Sequence, residues 1–131
     1  MKLPTEIVTV VIAATLLLGG PHAAWAGPPD CDEAVTTAEM RDCADRDYAY
    51  ADAELNRLYG TLLSSLPAPQ GEALRSAQRA WITFRDRQAA FAAGVAAGGT
   101  LYPLLEVSEL AALTRQRTDE LRRFLPPDDT Q

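Results

Sequence analysis

From Met40 onward, apolar side chains return at three- and four-residue steps: Met40, Ala44, Tyr48, Ala51, Leu55, Leu58, Leu62 and Leu66. Pro67-Ala68-Pro69 then stops the run. A stripe of that period lies along one side of an amphipathic helix about seven turns long. Such a helix draws its stability from packing rather than propensity, so the stripe demands partner helices. Its start is equally legible. In Thr36-Thr37-Ala38-Glu39, the Thr36 hydroxyl is placed to cap the first amides while Glu39 reaches back to the amide of Thr36. The spacing predicts a first helix over 37–65.

Two more helices follow from the same reasoning. Leu74, Ala77, Trp81, Phe84, Gln88, Phe91 and Val95 come close to a heptad seam and predict a helix over 70–95. It ends in Gly98-Gly99-Thr100, where glycine permits a left-handed turn. Pro103 fits the first turn of a third helix over 104–125, with Leu110, Leu113, Arg117, Leu121 and Phe124 as its expected face. No segment alternates with the two-residue period of a strand. The expected fold is all-α: a three-helix antiparallel bundle with a lead-in tethered at its N-terminal end. Short turns make sequential helices antiparallel. Turns centred near Ala68 and Gly99 bring Asp52, Arg85 and Thr114 into one layer, with Arg117 a turn away beside Trp81. A charge there must be paired and hydrogen-bonded.

The N-terminal segment sets the compartment. Lys2, an apolar run from Ile7 to Leu18, Gly19-Gly20-Pro21 and Ala24-Trp25-Ala26 read in order as a secretory signal cleaved after Ala26. The run is short for a bilayer span, so stable membrane insertion after cleavage is not expected. Residues 1–26 are thus the signal, 27–36 a Pro- and Asp-rich lead-in, 37–125 the helical domain and 126–131 a flexible tail. Cys31 and Cys43, the two cysteines, would pair in an oxidising secreted or periplasmic compartment. Beyond the signal the chain keeps 11 arginines, no lysine and 17 acidic residues, a balance that repels nucleic acid and favours cationic partners. The one histidine, His22, lies within the signal, so ligands for zinc, copper or haem are lacking and no cofactor is expected.

Taken together, Cys31-x11-Cys43, Asp52-x-Glu54-Leu55-Asn56-x-x-Tyr59, Gln78-x-x-Trp81-Ile82-x-Phe84-Arg85-Asp86, Gly98-Gly99-Thr100 and Leu113-Thr114-x-x-Arg117 resemble the LprI-type family of small bacterial envelope proteins. The resemblance runs from Cys31 to about Leu125. It implies a non-enzymatic binding protein, with a lysozyme-type peptidoglycan hydrolase as the cationic partner; an envelope adaptor holding another exported protein is the alternative. Family members usually carry a second cysteine pair, at positions where this chain has Ala89 and Glu109. Asp52, Asn56, Gln78, Arg85, Asp86, Thr114 and Arg117 read as a structural polar layer that fixes helix register, in preference to a ligand groove. No nucleophile–base pair stands out, so no catalytic residue is assigned.

Overall fold

The computed structural model describes residues 28–126. The expected signal over 1–26 lies outside them, as does the expected tail beyond Pro126. Three α-helices make up the described chain: α1 (Thr37–Ser65), α2 (Ala68–Ala93) and α3 (Tyr102–Arg122), with a 3₁₀ turn over Gly94–Ala96 between the last two. There is no strand among the described residues. No helix among them is long and apolar enough to cross a membrane.

The helix ends follow local chemistry. Thr36 Oγ1 accepts from the Glu39 amide at 3.2 Å, and the Glu39 carboxylate accepts from the Thr36 and Val35 amides at 2.9 and 3.2 Å. Those bonds favour the ionised form and hold the Glu39 carboxyl below its usual range, the Thr36 amide acting most strongly. α2 starts two residues earlier than the sequence pattern predicts. Pro69 sits in the first turn, where a missing N–H costs nothing, and Pro67 is the cap. α3 likewise absorbs Pro103 into its first turn. Gly98, at φ 78°, supplies the left-handed step that reverses the chain between α2 and α3.

Sequential helices are antiparallel, which leaves α1 and α3 parallel. Their mutual packing is the most extensive in the molecule, α2 packs chiefly on α3, and α1 and α2 touch least. The α1–α3 seam is heptad-like on both sides. Ala44, Ala51, Leu55, Leu58 and Leu62 are buried from α1, and Val107, Ala111, Thr114, Thr118 and Leu121 from α3. Small residues on α3 let the two axes approach closely. Leu55, Leu58, Leu62 and Leu121 form the main apolar cluster, with Tyr59, Leu66, Leu74 and Trp81 packed around it.

Two expected faces are corrected by this packing. α2 buries Gly71, Gln78, Arg85, Ala89 and Ala93, while Phe84 is 54%, Phe91 78% and Val95 87% exposed. The buried stripe is rotated off the apolar seam because a polar, small-residue stripe lets α2 dock on α3 and hydrogen-bond to it. On α3, Phe124 is 69% exposed rather than packed, since the helix ends at Arg122 before another turn can bring it onto the bundle. Met40, the first residue of the α1 stripe, is also exposed.

The lead-in is held by a disulfide between Cys31 and Cys43, whose Cα atoms are 5.9 Å apart. Cys43 is buried in the second turn of α1 and Cys31 is exposed, so the bond ties a surface segment to the bundle. Thiol titration of the folded, unreduced protein is expected to find no free cysteine, and reduction to cost about 2–3 kcal/mol for so short a ring. Replacing Thr36 by alanine is expected to cost about 1 kcal/mol. The Glu39 contribution to the cap is fully present above the usual glutamate pKa and lost as pH falls through its depressed folded value. Carboxyl NMR titration of Glu39 checks the direction.

Candidate functional site

Arg85 is the centre of the polar layer. It projects from the buried stripe of α2, and its side chain is only 10% exposed. Its Nε and Nη2 donate to Asp86 Oδ1 at 2.9 and 2.8 Å, and its Nη1 lies 3.6 Å from Asp52 Oδ1 on α1. The guanidinium plane also lies 5.6 Å from the Tyr48 ring and 5.2 Å from the Trp81 ring. A weakly hydrated, planar cation suits that setting, because it stacks on rings while its edge N–H groups reach carboxylates. Burial pushes the Tyr48 hydroxyl pKa up, against a smaller downward pull from Arg85.

Arg117 occupies the next level. From α3, its Nε donates to Gln78 Oε1 on α2 at 3.1 Å and its Nη1 to Glu120 Oε2 at 3.2 Å. Its guanidinium is 5.8 Å from the Trp81 ring, so one indole serves both arginines. The Glu120 carboxyl is held below its usual range, first by the Gln116 amide that donates to it at 3.0 Å and then by Arg117. Asn56 Nδ2 donates to Asp52 Oδ2 at 2.9 Å and so steadies the carboxylate that faces Arg85.

Six of the seven polar residues singled out in the sequence therefore form two linked groups: Asp52, Asn56, Arg85 and Asp86 in one, Gln78 and Arg117 in the other. Thr114 stands apart. It is fully buried in the α1–α3 seam, but its hydroxyl donates to Leu110 O of its own helix at 2.7 Å rather than to Asp52 or Arg85. A buried threonine commonly satisfies itself this way. Sequence reasoning missed Glu120 as the carboxylate partner of Arg117. The i, i+3 spacing of the two on one helix was the available signal. Trp81, on the expected seam of α2, is half-buried against the leucine cluster, and its ring is the π surface shared by the two arginines.

Within this layer the carboxylates accept from guanidinium and amide donors, and no hydroxyl or thiol nucleophile is bonded to a base. The described hydroxyl–carboxylate pair elsewhere, Tyr102 to Glu106 at 3.4 Å, raises the tyrosine pKa through burial and the neighbouring charge, the opposite of activation. No group of three or more metal-binding side chains occurs among the described residues. The arrangement links α1 to α2 through Asp52 and Arg85, and α3 to α2 through Arg117 and Gln78.

A family profile described as lysozyme inhibitor LprI matches residues 30–121. An uncharacterized protein of Rhizobium meliloti (strain 1021) is 40% identical over 128 residues, covering 86% of this chain and 92% of that protein. No solved structure matches.

The geometry separates two substitutions. Asp52→Asn leaves Arg85 paired with Asp86, and Asp52 is itself 41% exposed, so a loss of about 1 kcal/mol or less is expected. Arg85→Ala removes the ion pairs, both ring contacts and the buried stem together, with an expected loss of about 2–4 kcal/mol. Chemical denaturation of the two variants checks the order, and an equal loss from both would contradict it.

Proposed function

Because this chain belongs to the lysozyme inhibitor LprI family, we propose that it is an exported, non-enzymatic binding protein that blocks a lysozyme-type peptidoglycan hydrolase. The observation that carries the reading is the family match over residues 30–121, nearly the whole described chain. Three further features support it. The polar layer consumes its charged groups structurally, which leaves no assembled catalytic centre there. A disulfide at Cys31–Cys43 suits an oxidising compartment outside the cytoplasm. The chain's formal charge of −6 gives long-range attraction to a strongly basic enzyme.

The absent second cysteine pair is compatible with this reading. Ala89 is buried, and α3 is held by the α1–α3 seam and by Arg117 without a covalent tie to α2. Asp52, Asn56, Gln78, Arg85, Asp86, Thr114 and Arg117 then act at one remove from the partner, as the frame that keeps the outer surfaces in place.

Mixing the folded protein with lysozyme at equal molarity and low salt is expected to lower turnover of a peptidoglycan substrate. The inhibition should weaken on raising salt through about 0.2 M, because exposed charges are screened over roughly 8–10 Å. Full lysozyme activity at low salt with excess folded protein would overturn the proposal and favour the adaptor reading.

A further inference from the structure

Exposed apolar side chains are concentrated at one end of the bundle. Val35 is 80%, Met40 36%, Phe91 78%, Val95 87%, Leu101 46% and Leu105 36% exposed. These six come from the lead-in, the start of α1, the end of α2, the turn after it and the start of α3. The fold brings those segments together. The disulfide pins the lead-in to α1. The 3₁₀ turn packs on both α2 and α3. The ion pair between Asp47 and Arg115 at 2.6 Å sets α3 alongside α1 in parallel, with its start beside the start of α1. Single exposed hydrophobics are ordinary, but six gathered at one end of a small bundle point to an interaction surface.

Charge is concentrated at the same end. Between Asp30 and Asp47 the sequence holds seven carboxylates and two arginines, whereas from Tyr48 to Pro126 it holds eight carboxylates and nine arginines. The negative charge of the described chain therefore lies almost wholly in the lead-in and the first turns of α1. Arg41 and Arg46 pair with Asp45 and Asp42, and Asp32 and Glu33 have no ion-pair partner among the described residues.

We propose that this end of the bundle, apolar at Phe91, Val95 and Leu101 and acidic at Asp32 and Glu33, is the surface that docks a cationic protein. The assignment rests on the inhibitor reading for the partner's identity and adds where the partner sits. An apolar centre with a charged surround is the general layout of a protein interface, in which the centre holds and the surround steers. The negative surround disfavours nucleic acid and anionic lipid. The opposite end fits less well. Its groove, about 410 Å³ and lined by Leu62, Leu66, Leu74, Leu121 and Phe124 among others, has no carboxylate in its lining to attract a basic partner.

The test is lysozyme binding by surface plasmon resonance with three variants of the full chain. Phe91→Ser/Val95→Ser should weaken affinity about tenfold or more, mainly by faster release. Asp32→Asn/Glu33→Gln should slow association and flatten its salt dependence, with release little changed. Phe124→Ser, at the opposite end, should bind within about twofold of wild type. The altered side chains are exposed, and circular dichroism confirms that each variant keeps its helices. Wild-type affinity in the Phe91→Ser/Val95→Ser protein would overturn the surface assignment while leaving the inhibitor reading standing. So would loss of binding in Phe124→Ser alone. Wild-type protein that binds no lysozyme at low salt would overturn both.

Discussion

A guanidinium taken out of water between two helices has to be met by carboxylates and ring faces at once, and Arg85 meets that demand from both sides. Asp86 on its own helix and Asp52 on α1 answer the charge, while Tyr48 and Trp81 cover the plane. This matters because α1 and α2 have the least direct contact of any helix pair. Across that gap long side chains reach instead, and Arg85 of α2 comes within 3.6 Å of Asp52 on α1. Arg117 plays the matching part between α3 and α2 through Gln78, using the same indole. The two arginines thus lock α2 onto a pair of helices that already pack well on each other.

That division of labour explains the outer surface. The α1–α3 seam carries most of the apolar burial, with Ala44 and Ala51 level with the small residues of α3 and Leu55, Leu58 and Leu62 clustered with Leu121 further along. α2 docks through a stripe that is mostly polar or small, and so its aromatic stripe has no intramolecular partner. Phe84, Phe91 and Val95 remain outside as a consequence of how register is achieved. A helix that spent its aromatics on the core would have nothing apolar to offer a partner. The acidic lead-in is tied by a short disulfide loop to the start of α1.

Local physics made much of the architecture readable. The three-to-four-residue period, the Thr36–Glu39 cap, the paired prolines and the two cysteines each act over a few residues, so their consequences need no knowledge of distant neighbours. The candidate site was partly readable for the same kind of reason. Antiparallel register across a short turn places Asp52 near Arg85 by arithmetic alone. Thr114 is buried, but register locates only a residue's level in the bundle and not the rotamer of its hydroxyl, which turns to its own backbone. Glu120 was missed because a charge on an exposed helix face has many available roles.

What the sequence by itself determined was the number of helices, where each begins and ends within a few residues, the disulfide ring and the family. Those are set by backbone dihedral limits, capping and the spacing of apolar positions. Only the tertiary structure decided which stripe of α2 and α3 is buried, and that α1 and α3 form the dominant parallel pair. A helix with two usable faces has no local means of choosing between them. The choice is made when three helices must bury their leucines, seat two guanidiniums and pack small residues at close range in a single arrangement.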